Sequence, residues 1–241
     1  MPERTSFMKY RFLLFDADLT LLDFDTDMVY AFQKLYEICG FSVPYSPIML
    51  QTYEKCNNRW WEKFERKECT KPELFVNRFV DFLAETGLPG DPEEMNRQYF
   101  EFLGQGGAVY PGAVELVKSL SADFSLYIVT NGNAASQKTR LENSGLLPYI
   151  QNYFVSDAVG VGKPDPRYFQ YVFDHIPGFQ REMAVVIGDS LSSDMQGAVN
   201  ANVDSIWYTG ANSGSSVITD VPYTYHAESY EEIKKILYGA E

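Results

Sequence analysis

The sequence predicts an α/β fold, a parallel sheet with helices on both faces and an all-helical block inserted near its start. Three observations lead there. Short apolar runs suited to buried strands alternate with helical segments from about residue 110 onward, the pattern of a parallel sheet joined by helical crossovers. One more such run stands alone ahead of residues 24–104, a stretch without a strand signal. Polar residues of chemical interest recur where the runs end, the edge at which open parallel sheets bind ligands. The expected organisation is a Rossmann-like domain from residues 1–23 and 105–241, with a helical domain from residues 24–104.

Within an apolar run that begins at Tyr10, Phe12, Leu13, Leu14 and Phe15 read as a strand buried on both faces. Asp16 emerges at its carboxyl edge, and Asp18, two residues on, points into the same cleft. Asp-x-Asp alone is also an ordinary turn. A buried, unpaired carboxylate is strongly disfavoured, however, so the pair implies a cation or a chemical task. Met28, Phe32, Leu35, Tyr36 and Cys39 then recur at helical spacing and stop before Gly40. Ser46-Pro47 opens a second helix with Tyr53, Cys56, Trp60 and Phe64 on one face. Thr70 and Glu73 form a capping-box pattern for a third, which carries Phe75, Phe79, Phe82 and Leu83 and ends at Gly87. Asp91 and Glu94 repeat that pattern for a fourth, with Met95, Tyr99 and Phe102.

Gly104, Gly106 and Gly107 read as a flexible connection, after which Tyr110-Pro111-Gly112 opens a helix bearing Val114, Val117 and Leu120. Strand signals follow at residues 124–129, 183–187 and 205–208, with a weaker one at 153–156. The helices between them begin at Asn133, at Asp165-Pro166 and near Ser192, and a last one spans about Glu228 to Leu237.

With 241 residues, 45% of them hydrophobic, the chain can bury a full core. No stretch approaches the roughly 20 apolar residues of a membrane span, and Met1 to Phe7 lack the features of a signal peptide, so a cytoplasmic location is expected. Cys39, Cys56 and Cys69 show no paired spacing and read as core thiols. A formal charge of −13 opposes non-specific binding to nucleic acid or anionic membrane, and an anionic substrate would need a local cation.

Three further chemical signals lie at or just beyond strand ends: Val129-Thr130-Asn131-Gly132, Gly160-Val161-Gly162-Lys163-Pro164-Asp165-Pro166, and Ile187-Gly188-Asp189-Ser190-Leu191-Ser192-Ser193-Asp194. Each alone reads as a turn, a helix cap or a solvated lysine. In this order, after Asp16-Ala17-Asp18-Leu19-Thr20, they resemble the four motifs of the haloacid dehalogenase superfamily, specifically its phosphatases with a helical cap inserted after the first motif. The match runs from about Tyr10 to Tyr208. Residues 21–24, 163–169 and 188–198 are also similar to the branch containing bacterial 5'-nucleotidases acting on pyrimidine and non-standard nucleotides. Leu19 departs from the pattern, where many relatives carry Gly or a third Asp.

That resemblance implies a catalytic set of Asp16, Asp18, Thr130 and Lys163. Asp16 would be the nucleophile, forming an aspartyl phosphate that water hydrolyses. Asp18 would be the acid and base, with a pKa raised by neighbouring carboxylates and cap closure. Mg2+ would be held by the carboxylates of Asp16 and Asp189 and the main-chain carbonyl of Asp18. Phosphate would be bound by Ala17, Thr130, the Asn131 amide and Lys163, with Asp194 orienting Lys163 or a metal-bound water. The implied partner is a small phosphorylated metabolite, a nucleoside monophosphate, with no nucleic acid polymer and no membrane, acted on by a monomer or weak homodimer. His175 and His226 lie outside every motif and receive no role.

Specificity is expected in the cap. Adjacent helical residues diverge by about 100°, so Trp60 and Trp61 cannot share a face. Trp60 continues the Tyr53, Cys56 and Phe64 stripe into the core, which leaves Trp61 either to pack between cap helices or to reach the cleft, where Trp61 or Phe24 beside the hinge would stack on a base. Alternatives remain open: a phosphosugar phosphatase or mutase, phosphonate cleavage through one of Lys34, Lys55, Lys63, Lys67 and Lys71, or a non-catalytic binding or scaffold module. Dehalogenation is disfavoured by Asp18, which would find no leaving oxygen to protonate.

Overall fold

The structure, a computed structural model, describes residues 8–211 and 220–239, so the expectation drawn from Met1 to Phe7 falls outside it. The described strands are β1 (Phe12–Phe15), β2 (Ser125–Thr130), β3 (Asn152–Val155), β4 (Ala184–Gly188), β5 (Asp204–Tyr208) and β6 (Tyr225–Ala227). They form one parallel sheet in the order β3-β2-β1-β4-β5-β6. Around it lie α5 (Ala113–Leu120), α6 (Ala134–Asn143), α7 (Ser156–Val159), α8 (Pro166–Asp174), α9 (Gln196–Ala201) and α10 (Tyr230–Tyr238). The side chains of β1 alternate between two cores. Leu13 and Phe15 pack with residues of α5 and α10, whereas Phe12 and Leu14 pack with residues of α8 and α9. The chain builds outward from β1 through β2 to β3, then returns to lay β4 on the other side of β1. The carboxyl ends of β1 and β4 therefore border the crevice where such sheets reverse direction.

Between β1 and α5 come α1 (Phe24–Cys39), α2 (Pro47–Glu65), α3 (Lys71–Thr86) and α4 (Pro92–Leu103). They enclose a third core of their own, in which Phe32 stacks on Tyr53 at 4.5 Å and meets Phe82 edge-on at 5.3 Å. Caps define these helices. Asp23 accepts from the Thr26 N–H, Thr70 and Glu73 form a complete capping box, and Gly40 and Gly87 close α1 and α3 in the left-handed region.

Several local expectations are corrected. Asp91 accepts the Glu93 and Glu94 N–H groups, but the Glu94 carboxylate turns to Arg97 and Gln98, so only half of the second capping box forms. The glycine-rich connection is held tightly rather than loose: Gly107 and Ala108 donate to the Asp27 carboxylate, and Asn143 Nδ2 donates to the Gly106 carbonyl at 2.8 Å. A Cβ at Gly106 would collide with Asp27, so that glycine serves close approach. The three-residue β6 and four-residue α7 are too short to show a period. A π-helical turn, Leu191–Met195, precedes α9 where a plain helix start is expected. Trp60 is half-buried, its indole N–H donating to Asp81 at 2.7 Å, rather than a core residue. Of the cysteines only Cys56 is fully buried. Among the described residues no helix is long and apolar enough to cross a membrane.

Candidate active site

Asp16 leaves β1 between the ends of β2 and β4, its N–H bonded to the Ile187 carbonyl at 2.8 Å. From the loop before α8, Lys163 Nζ reaches Asp16 Oδ1 at 2.5 Å, Asp194 Oδ1 at 2.6 Å and the Val129 carbonyl at 2.8 Å. All three ammonium protons are thereby used. Burial would lower the Lys163 pKa, but Asp16 and Asp194 outweigh it and hold the group raised and charged. The other oxygen of Asp194 accepts the Ser190 N–H at 3.1 Å, so this carboxylate is committed to orienting its neighbours. Gly188 permits that packing, since a Cβ there would collide with the Asp194 carboxylate.

The Lys163 loop is clamped by Asn131, whose Nδ2 donates to the Lys163 carbonyl at 2.8 Å and whose Oδ1 accepts the Lys163 N–H at 2.9 Å. The expected phosphate contact through this amide thus rests on its second Nδ2 proton, which faces Ser193 Oγ at 3.4 Å. Thr130 ends β2 as a buried residue, its hydroxyl accepting from Gln137 Nε2 at 2.8 Å. Ala17 is fully buried between the two aspartates. Leu19 has φ 62°, a left-handed conformation that glycine adopts more easily, which gives its departure from the family pattern a backbone meaning.

Asp16 Oδ2 and Asp189 Oδ1 share one donor, the Thr20 hydroxyl, at 3.4 Å from each. Oxygens of Asp16, Asp189 and Asp194 all lie within 4.8 Å of one another. Burial pushes the Asp16 carboxyl up to about 7 against the pull of Lys163, with Asp194 and Asp18 adding to the rise. Burial and repulsion from Asp16 and Asp194 likewise raise Asp189 well above the usual carboxylate range. Asp189 and the oxygen of Asp16 that Lys163 leaves free, sharing one weak side-chain donor, form an all-oxygen set that suits a hard divalent cation.

Asp18 turns the other way. Its Oδ1 accepts from Arg140 Nη1 at 2.6 Å and its Oδ2 from Gln137 Nε2 at 2.7 Å, while Arg140 Nε donates to Asp27 Oδ2 at 2.8 Å. The neighbours expected for Asp18 are carboxylates; those closest to it are a guanidinium and a carboxamide. Gln137 and Arg140 are the site residues that sequence reasoning missed. The available signal is that the buried face of α6 carries Ser136, Gln137 and Arg140 at positions where helical periodicity calls for apolar residues.

The cleft above these groups has a volume of about 740 Å³ and is lined by Phe24 and Trp61 as well as by the motif residues. None of Lys34, Lys55, Lys63, Lys67 and Lys71 lines it. Lys71 instead donates to the Gly132 carbonyl at 2.8 Å and the Ser156 hydroxyl at 2.7 Å. His175 and His226 bond to the Tyr171 carbonyl and the Thr209 hydroxyl, away from the cleft.

A family model described as haloacid dehalogenase-like hydrolase matches residues 13–208. The chain is 36% identical over 229 residues to the HAD-hydrolase YfnB of Bacillus subtilis, covering 95% of this chain and 96% of that one. It is 36% identical to the pyrimidine 5'-nucleotidase PynA of Streptococcus pneumoniae over 94% of each chain. Against the pyrimidine 5'-nucleotidase YjjG of Escherichia coli it is 26% identical, over 95% and 99% of the two chains. The crystal structure of YfnB bound to magnesium superposes with a TM-score of 0.89, covering 95% of this chain and 99% of that one.

Proposed function

The chain belongs to the haloacid dehalogenase-like hydrolases and is a phosphatase, and from that premise we propose a magnesium-dependent phosphomonoesterase acting on nucleoside 5'-monophosphates through an aspartyl phosphate. The observation that carries this reading is the contact of Asp16 with Lys163 at the mouth of the sheet, a carboxylate nucleophile beside a fixed positive charge. The Asp16 carboxylate attacks phosphorus in line, forming a new O–P bond as the P–O bond to the leaving group breaks, and so becomes an aspartyl phosphate. Lys163 stays beside both and offsets the negative charge they bring together. Asp18, held by Arg140 and Gln137 apart from the Lys163 cluster, gives a proton to the leaving oxygen and takes one from the hydrolysing water. Asp16 and Asp189, with the Asp18 main-chain carbonyl, would hold Mg2+, which when bound supplies neutralising charge and Lewis acidity at the phosphate.

Residues 24–104 act in this proposal as the cap over residues 1–23 and 105–241, and they decide which leaving group fits. The aromatic lining of the cleft by Phe24, Trp61, Phe75 and Phe100 suits a planar base better than a polyhydroxylated sugar. Steady-state assays on a generic aryl phosphate with Mg2+ and with a chelator, followed by a panel of nucleoside monophosphates and sugar phosphates, test it. Metal-dependent turnover with the highest kcat/KM on nucleotides is expected. A preference for sugar phosphates would overturn the substrate assignment, and full activity in chelator would overturn the metal.

A further inference from the structure

Inside the cap, Arg78 of α3 carries a positive charge that no carboxylate among the described residues answers. The side chain is 1% exposed, and its hydrogen bonds run to neutral acceptors: Nε to the Phe75 carbonyl at 3.2 Å, Nη1 to Asn57 Oδ1 at 2.9 Å and Nη2 to Asn96 Oδ1 at 3.2 Å. A guanidinium has five N–H donors, and these contacts use three. Aromatic rings surround it, with the Tyr99 centroid 4.6 Å and the Phe79 and Phe100 centroids 5.1 Å from the guanidinium carbon. Such cages stabilise a cation but leave its spare donors without acceptors. Tyr99 adds a second unmet group: it is fully buried, and its hydroxyl, like that of Tyr53 beside it, has no hydrogen-bond partner among the described residues. Both residues line the cleft that holds Asp16, together with Trp61, Phe75 and Phe100. Buried polar groups are rarely left unpaired, and a ligand entering this cleft would complete these.

We propose that Arg78 and Tyr99 read the leaving group, and that it is a nucleoside whose base offers a ring carbonyl oxygen to them. This deepens, and rests on, the nucleotidase reading above. A ring carbonyl is the acceptor that a guanidinium recognises on base edges, and the flat walls formed by Trp61, Phe75 and Phe100 accommodate the ring that bears it. A second anionic group on the substrate fits less well, because Asp25, Glu54 and Glu62 also line the cleft and repel it. Adenine has no carbonyl and offers Arg78 only single ring-nitrogen acceptors flanked by C–H or an amino donor, a poorer match to its spare donors.

The test measures kcat/KM for the Mg2+-loaded wild type, Arg78→Lys and Tyr99→Phe on uridine 5'-monophosphate, adenosine 5'-monophosphate and ribose 5-phosphate. The wild type should favour the uridine over the adenosine nucleotide by about tenfold or more. Arg78→Lys, which keeps the charge and loses the planar fork, should cut the ratio of uridine nucleotide to ribose 5-phosphate by about tenfold. Tyr99→Phe should cut it by about threefold, and it should melt no lower than wild type, since it removes an unpaired buried hydroxyl. Equal losses on both substrates, or none on either, would make Arg78 a structural residue and overturn the inference. Wild-type turnover of the adenosine nucleotide as fast as the uridine one would overturn carbonyl recognition while leaving the nucleotidase intact. No wild-type preference for any nucleotide over ribose 5-phosphate would instead remove the underlying reading. Should Arg78→Lys fail to fold, Tyr99→Phe decides by the same ratio.

Discussion

Asp16 and Asp18 stand two residues apart yet face different company, Asp16 against Lys163 and Asp18 against Arg140. That separation suits two chemically identical groups to the different tasks proposed for them, Asp16 to attack phosphorus and Asp18 to move protons. Asp16→Asn should lower turnover by about three orders of magnitude or more, because an amide oxygen is a poor nucleophile. Asp18→Asn should slow both formation and hydrolysis of the phosphoenzyme. The check is a single-turnover assay on rigorously repurified protein, and wild-type turnover by Asp16→Asn would remove the residue from its role. Asp16, Asp18, Lys163, Asp189 and Asp194 could be read as candidates because each follows a strand signal where a charged side chain has no packing reason to be. Gln137 and Arg140 left only a break in the apolar period of α6, and their purpose appears only when that helix is laid against Asp18. Asn131 was legible as a site residue but not in its contact. Which partner an amide chooses depends on a loop 32 residues away in sequence.

At the scale of elements, the turn between α2 and α3 is where the cap meets the catalytic loops. Glu65 accepts the Ser192 hydroxyl at 2.7 Å, and Lys71, the first residue of α3, lies against Gly132 and Ser156. Both ends of this turn bury a charge: burial pushes Glu65 up, and it brings Lys71 down to about 8, with Asp157 opposing the fall. Below pH 8 the Lys71 amine is protonated in folded and unfolded chains alike, and its burial counts against the fold. Between 8 and the ordinary lysine value of 10.5 the unfolded chain keeps a proton that the folded chain has released, so stability rises with pH. The unfolding free energy of wild type relative to Lys71→Met should therefore be flat below pH 8 and climb above it, by no more than about 3 kcal/mol in total. Urea unfolding at pH 7.5, 9 and 10 checks this, and a difference that stays constant would mean that the amine remains solvated. Helix ends such as Thr70–Glu73 and Asn133 were legible because capping is local chemistry. The Lys71 contacts were not, since they join residues 61 and 85 positions apart.

Across the whole molecule, the order of the strands is the part that local sequence could least reveal, because β4 pairs with β1 through a register of Phe12 with Ala184 that no neighbouring residues encode. That pairing brings Asp189 beside Asp16, in a chain that already carries a formal charge of −13. The cations in the described site are distributed unevenly. Lys163 answers Asp16 and Asp194, and Arg140 answers Asp18 and Asp27, but Asp189 has no ion-pair partner among the described residues. In the metal-free protein burial and its acidic neighbours therefore oppose ionisation of Asp189, a cost that binding of a divalent cation would relieve. Mg2+ at a hundredfold excess over its Kd should stabilise the folded chain by about 2.7 kcal/mol, which at roughly 2–4 °C per kcal/mol raises Tm by about 5–10 °C. Asp189→Asn removes the disfavoured carboxylate and a proposed metal ligand together, so the two effects separate in one experiment. In chelator its Tm should exceed that of the wild type, whereas Mg2+ should barely raise it further, leaving the wild type the more stable protein once both are loaded. Differential scanning calorimetry with and without Mg2+ reads all four states without an activity assay. A wild type whose Tm ignores Mg2+ would show that the Asp16 and Asp189 pair does not hold the ion, and a variant less stable than wild type in chelator would show that Asp189 is held by contacts stronger than the single Thr20 hydroxyl.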